Sequence, residues 1–338
     1  MSVFNLRFSL CVFLLFTVTA AGKTPRSSEE FYQRGALRYS HGDYRGAEAD
    51  FTRAIELATR LDSGKKQSFA NQWRSADDET QRTPDTAGIR VIAPETAPAY
   101  GNRALARFKL GNIAGALEDA ERAIELNPHI PEAYVDHGVI LHEIGDRDGA
   151  IADFDRALAL RPNSAEAHID RGNVLRDKRD YCAAIAEYDS AVHENPKLVE
   201  AYYNRGLSKT DSGDFNAALA DFEKVIAMTP KQPFGYLGRG IANFKLMNLD
   251  AGMKDLNYAI ELDPAYPDAY LNRGLLRLVL GDEKKAQQDF AQALALDSSV
   301  KEDLEKRIEK VRALRARNTK LSTVATESVR RSGNSLDK

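Results

Sequence analysis

The side chains through which this 338-residue chain could do chemistry are six histidines, two cysteines and a large set of charges. The histidines are dispersed, and His137 and His142 stand five apart, the wrong step for two metal ligands on one helix face. There is no cysteine pair, no glycine-rich phosphate loop and no serine elbow motif. Enzymatic activity, a cofactor and a metal site are therefore not expected. The charges are more informative. A basic residue is followed 16 positions on by an acid at Arg34 and Asp50, Arg103 and Asp119, His137 and Asp153, Arg171 and Glu187, Arg205 and Asp221, Arg239 and Asp255, and Arg273 and Asp289. Seven recurrences of one spacing point to a ladder of ion pairs between two elements. Such pairs fix register more than they add stability.

The elements that must position these pairs recur as well. From Pro131 to Ser164 the chain reads PEAYVDHGVILHEIGDRDGAIADFDRALALRPNS, and Gly138 returns at Gly172, Gly206, Gly240 and Gly274, always 34 residues on. A fixed period of this length with helical spacing inside it is the mark of a helix-turn-helix array. Units begin at Ser28, Ala97, Pro131, Ala165, Val199, Pro233 and Pro267. Position 15 of the unit is Gly in five of them (Gly42, Gly111, Gly145, Gly213, Gly281) and position 16 is always Asp or Asn. Glycine in the left-handed region closes helix A, and the Asp or Asn side chain caps helix B. Folding the unit there sets position 7 nearly level with position 23, position 4 with 27 and position 11 with 20. Positions 20 and 27 are almost all Ala, so large residues on one helix meet small ones on the other and the two helices pack closely.

This pattern resembles the tetratricopeptide repeat (TPR) family, whose signature positions are 4, 7, 8, 11, 20, 24, 27 and 32, and the resemblance covers residues 28–300. The basic residue at position 7 departs from the Leu common in that family. The resemblance implies an all-α fold, a right-handed superhelical solenoid of antiparallel helix pairs with helix A inside. It also implies a non-catalytic interaction scaffold that holds a protein or peptide in a concave groove lined by positions 2, 5, 6, 9, 12 and 13. Position 6 supplies Asn102, Asp136, Asp170, Asn204, Gly238 and Asn272, similar to the asparagine ladder of the O-linked N-acetylglucosamine transferase repeats. These side chains either grip the main chain of a ligand or support the helices. The carboxylate clamp of chaperone-binding TPR domains would fall on Tyr32, Ala36, Asn102, Glu132 and Asp136, and only Asn102 fits. Along the groove an acidic stretch (Glu132, Asp136, Glu166, Asp170, Glu200, Asp211) leads into an apolar one. The apolar end comprises Phe234, Leu237, Ile241, Phe244, Leu271 and Leu275, with Leu278 and Val279. This arrangement suits a segment with basic residues beside a hydrophobic anchor. The alternative is that a capping helix or a second copy of the chain covers the strip, the chain then being a self-assembling structural component. A factor for assembling envelope or secreted polymers is a third reading, by analogy alone.

The remaining segments fall outside the repeat. Residues 1–22, with Arg7 before an apolar run, read as a secretory signal and place the chain in the periplasm or outside the cell; an uncleaved N-terminal anchor is the alternative. Cleavage would leave Cys182 as a lone thiol early in helix B of the fourth unit, expected as a small packing residue. Residues 62–96 form an insert, a loop or a partner-binding flap, in which Phe69 and Trp73 stand one helical turn apart. Residues 301–318 read as a capping helix with Leu304, Ile308, Val311 and Leu314 on one stripe, and residues 319–338 as a disordered tail. A net charge of -3 gives no electrostatic reason for nucleic acid or an anionic membrane as partner, and no membrane insertion is expected after signal cleavage.

Overall fold

Glycine or its substitute at position 15 breaks every unit into two antiparallel helices. A computed structural model describes residues 26–73 and 96–313, for residues 61–73 the backbone alone. The signal, the tail, residues 74–95 of the insert and Leu314 lie outside the described residues. The chain divides into two compact units, Met1–Pro196 and Lys197–Lys338. The first holds four hairpins: α1 (Ser28–Ser40) with α2 (Tyr44–Trp73), α3 (Ala97–Lys109) with α4 (Ile113–Leu126), α5 (Pro131–Glu143) with α6 (Arg147–Leu160), and α7 (Ala165–Asp177) with α8 (Tyr181–Glu194). The second holds three: α9 (Val199–Ser212) with α10 (Phe215–Met228), α11 (Pro233–Lys245) with α12 (Leu249–Leu262), and α13 (Pro267–Leu280) with α14 (Glu283–Leu296). A 3-10 turn, Ser298–Val300, then leads to helix α15 over residues 301–313. Among the described residues no helix is long and apolar enough to cross a membrane.

The helix breaks work as the residue types dictate. The five position-15 glycines have φ between +80° and +93°, while Arg179 and Met247 take φ 62° in the two units that lack glycine. Asp43, Asn112, Asp146, Asp180, Asp214 and Asp282 each accept the N–H three residues on, at the start of helix B. Asn248 instead donates to Asn243. One boundary differs from the sequence reading. Helix α2 runs on through the first twelve residues of the insert, 62–73, because Thr59 stands where most units carry the proline that ends helix B.

In six of the seven hairpins the two helices touch through a glycine. A Cβ on Gly35, Gly138, Gly172, Gly206 or Gly274 would stand 2.4–3.0 Å from the aromatic ring at position 24 of the same unit, and one on Gly240 would stand 3.0 Å from Leu256. In the second unit position 8 is Ala104, and there position 24 shrinks to Ala120, both fully buried. The two positions are thus matched in volume. Between hairpins of one unit, successive A helices approach each other (α1, α3, α5 and α7; then α9, α11 and α13), and each also packs on the preceding B helix. Each stack therefore has its A helices on the tighter side.

The ion-pair ladder is present in six hairpins, and in the third a histidine stands beside the acid. Arginine forks grip the acid in two-pronged fashion at Arg34–Asp50, Arg103–Asp119, Arg205–Asp221, Arg239–Asp255 and Arg273–Asp289, with shortest contacts of 2.5–2.7 Å. Arg171 meets Glu187 at 2.6 Å, and His137 Nδ1 lies 2.7 Å from Asp153. The acids are nearly all buried and the arginines partly so. Two partners were not read from the sequence. A cation at position 11 reaches the same acid at Arg38, Arg107, Lys209 and Arg277. The position-7 arginine also reaches back to position 25 of the preceding hairpin: Arg103 to Thr52, Arg171 to Asp155 and Arg273 to Asn257. The guanidinium groups of Arg34, Arg103, Arg205, Arg239 and Arg273 lie over the aromatic ring at position 4 of their own unit, 5.2–5.9 Å from its centroid.

Candidate functional site

Stacking helix A upon helix A within each compact unit decides which position-6 side chains remain open. Asn102, Asp136, Asn204 and Asn272 are buried, and Asp170 is half-buried. Asn102 donates to the Tyr32 hydroxyl of the first hairpin at 2.9 Å, and Asn272 to the Asp268 carbonyl at 2.8 Å. These two amides therefore support helices. Position 6 is glycine in the sixth unit because Phe222 of the preceding hairpin lies on it; a Cβ on Gly238 would stand 2.4 Å from that ring.

The apolar end of the expected groove is packed within the protein. Leu271 is 1% and Leu275 4% exposed, and Phe234, Leu237 and Leu278 are buried too. Helix α15 continues the 34-residue register as a half-unit. It lays Leu304, Ile308 and Val311 into the same cluster as Leu271, Leu275, Leu278, Phe290 and the edge of Phe244. Ile241 and Phe244 are half-buried, also against Leu237, Leu256 and Leu276. The strip read from the sequence as open is thus packed, by the capping helix at α13 and by neighbouring hairpins at Phe234, Leu237 and Ile241. Beside it, burial and then the positive charges of Lys310 and Arg307 lower the pKa of Lys245.

The first unit keeps an accessible polar inner row. Glu132 is partly exposed and paired with Arg161, Glu166 is exposed, and Asn173 and Arg176 are half-buried. His142 Nε2 lies 3.0 Å from Asp177, joining α5 to α7. Hydrogen bonding to His142 holds the Asp177 carboxyl below its ordinary range. Burial raises Glu187, but bonds from His168 and Arg171 outweigh it and leave this acid lowered as well. Asp136 goes the other way: burial, with Glu132 nearby, pushes it well above the usual carboxylate range. Its carboxyl sits where α3 carries Gly101, whose Cβ would stand 2.7 Å from Asp136 Oδ2. Sequence reading passed over Gly101, although position 5 is bulky in every other unit (Tyr32, Val135, Ile169, Tyr203, Leu237, Leu271). Cys182, expected as a packing residue, is exposed. Among the described residues no group of His, Cys, Asp and Glu is arranged to hold a metal ion.

Comparison with known proteins agrees with this geometry. Tetratricopeptide repeat models match residues 102–165, 137–199, 169–233 and 203–267, and a further one matches 267–299. Tetratricopeptide repeat protein 36 from Homo sapiens is 61% identical over 36 residues, 11% of this chain and 19% of that protein; its Bos taurus counterpart is 58% identical over the same length. The match thus spans about a fifth of these relatives. A tetratricopeptide repeat protein from Parabacteroides merdae superposes with a TM-score of 0.59 at 18% identity, over 84% of this chain and all of that one. PilW, a type IV pilus biogenesis factor, gives 0.57 at 20% identity over 63% of this chain and 98% of its own. With family models spanning residues 102–299 and helix pairs of the expected kind in succession, the chain belongs to the tetratricopeptide repeat family.

Proposed function

We propose that this protein is a non-catalytic scaffold that holds a peptide or protein segment against the A helices of its first four hairpins. The observation that carries the reading is the inner row of α5 and α7. Glu132, Glu166, Asp170, Asn173 and Arg176 remain wholly or partly accessible there, whereas the apolar row is taken up by packing, at α13 against α15 and at α11 against its own and the neighbouring hairpin. The accessible row is acidic and hydrogen-bonding, so the segment it suits is polar and carries basic residues. Export through the signal at residues 1–22 belongs to the same proposal, and sequencing the N-terminus of the mature protein tests it. For the binding face, a photo-crosslinking residue is placed at Glu166, and in a separate variant at the exposed Ala186 of α8. A partner crosslinked at Glu166 alone, and lost on Asp170→Arg, is the expected result. Equal labelling at both sites would remove the inner face from consideration.

Self-assembly has its own observation. Leu110, Ile113 and Ile144 are exposed along the turn edge of the second and third hairpins. If that edge joins copies, light scattering shows an oligomer that Leu110→Glu with Ile144→Glu converts to a monomer.

A further inference from the structure

The first hairpin carries one half of the joint that later hairpins make with the hairpin before them. Position 10 of helix A is completely buried in every later hairpin, from Ala106 to Leu276. Ile140, Val174 and Leu276 share core clusters with Ala116, Ala150 and Leu256 of the preceding hairpin. In α1 the same position is Leu37, which is 59% exposed. The arginine at position 7 is left over in the same way. Nη1 of Arg103, Arg171 and Arg273 crosses to Thr52, Asp155 and Asn257 at position 25 of the hairpin before. Arg34 uses Nε and Nη2 on Asp50, and among the described residues its Nη1 has no hydrogen bond. Its side chain is 33% exposed, against 12–27% for the other ladder arginines. Position 25 bears an acceptor in each of the first six hairpins (Thr52, Glu121, Asp155, Asp189, Glu223, Asn257) and alanine only in the last. Residues 1–25, which precede α1, contain no Asp or Glu to serve as the missing acceptor.

We infer that this side of α1 receives a helix of another protein, laid antiparallel on it as a preceding helix B would lie, with a small apolar residue on Leu37 and a carboxylate or amide on Arg34 Nη1. It is a second binding surface, separate from the inner face and independent of the reading given to that face. Glu30 completes the description of the partner. Position 3 is buried Ala or Gly in all six later hairpins, and a Cβ on Gly235 would stand 2.9 Å from Val225 and Ile226 of the preceding helix B. In α1 that place belongs to Glu30, which is exposed and accepts the Arg26 N–H. The helices B of this protein are apolar at position 28, as at Ile124, Leu158 and Ile226, and would bury that carboxylate without a counter-charge. The surface therefore does not suit a second copy stacked as one more hairpin. A foreign helix with Lys or Arg at that point pairs with Glu30 instead. Read from its N-terminus, the partner helix presents small apolar residues, then an acceptor about one turn on, then a cation three residues later. Burial of Leu37 supplies the affinity, and the two polar contacts set the register.

The probe is a stapled peptide of residues 147–160, the helix B that gives Asp155 to Arg171, with Leu158→Lys to meet Glu30 and the staple joining the exposed positions 152 and 156. Its binding to the full chain is read by fluorescence anisotropy. Leu37→Asp is expected to weaken binding about tenfold, the loss of one buried leucine contact, while Leu110→Glu at the turn edge leaves it unchanged. Arg34→Gln keeps Asp50 paired, because Arg38 Nη1 also lies 3.1 Å from it. That variant is expected to bind about fivefold more weakly and no longer to distinguish the probe from its Asp155→Ala form. Keeping Leu158 in the probe should weaken it as well. Circular dichroism establishes that each variant is folded. Failure of wild type to bind the probe overturns the proposal, as does binding that survives Leu37→Asp, or losses from Arg34→Gln and Asp155→Ala that simply add. A wild-type dimer that Leu37→Asp dissolves would give the surface to a second copy and overturn it too. None of these outcomes bears on the inner face, which the crosslink at Glu166 tests by itself.

Discussion

Asp221 and Asp255 hold the same place in the fifth and sixth hairpins but are supported differently. Asp221 is 3% exposed and is gripped by Arg205 and also by Lys209 at 2.8 Å. Asp255 is gripped by Arg239, and its second neighbour is only the Asn243 amide at 3.4 Å. Removing the arginine leaves a buried carboxylate in both hairpins, but only Asp221 keeps a cation. Arg239→Leu is therefore expected to cost about 3 kcal/mol, near the value for breaking a buried pair. Arg205→Leu is expected to cost about half as much, because Lys209 keeps the charge paired. Urea unfolding of the two variants reads the difference, and the opposite order would count against the shared-acid arrangement. Arg239→Leu with Asp255→Leu is expected to recover much of the loss, since the stranded charge is gone. Asp136 makes a prediction of opposite character. Its folded pKa lies above the unfolded value of 3.8, so between the two the folded state holds a proton that the unfolded state has released. Stability then falls as pH rises through that window. Asp136→Asn removes this penalty: its melting midpoint should exceed wild type at pH 7 and approach it near pH 3, and a constant difference across that range would contradict the assignment. Glu187 carries the reverse sign, because its folded pKa is lowered from 4.5. Its contribution is complete above the unfolded value and is lost as pH falls through the folded one. In Glu187→Gln the decline of stability on acidification should accordingly be shallower, as thermal melts through that range would show.

At the level of elements, the turn between helices A and B is the part most closely determined by residue type. Arg179 and Met247 adopt the left-handed conformation that five other units give to glycine. A side chain in that region costs about 1 kcal/mol, while glycine adds unfolded-chain entropy to be lost. Arg179→Gly is thus expected to raise stability by roughly 0.5 kcal/mol, measured as a rise in the denaturant midpoint with no change in slope; a fall would mean that the arginine side chain contributes more than its backbone costs. The terminal helix offers a larger effect. Leu304 is 2% exposed among Leu271, Leu275, Leu278 and Phe290. Leu304→Ala should cost about 2–4 kcal/mol, and hydrogen exchange should rise in α13 and α14 while the first unit keeps its protection. Uniform loss of protection throughout the chain would contradict a local capping role.

For the whole molecule, what could be read from the sequence was whatever one unit contains. The glycine and Asp or Asn pair marks the turn, the small residues mark the helix contact, and the spacing of 16 marks the ion pairs; all are local to 34 residues. The inner row escaped because its exposure is set by the neighbouring hairpin. Asn102 is covered by Tyr32, 70 residues away in the sequence, and Leu271 and Leu275 are covered by a half-unit that follows them. Nothing in the periodicity of a single helix states which side of it the next hairpin will occupy. The extension of α2 to Trp73 could have been read from Thr59, since no proline stops the helix there. The arginine that reaches both its own acid and position 25 of the hairpin before it gives the chain an evolutionary property. Three junctions are made by the same two positions, and excising residues 131–164 would bring Arg171 to Glu121 in place of Asp155. Such a shortened protein should fold, whereas removal of half that length should not. Ancestral duplication or loss in steps of 34 residues could then have changed the length of the array without inventing a new joint.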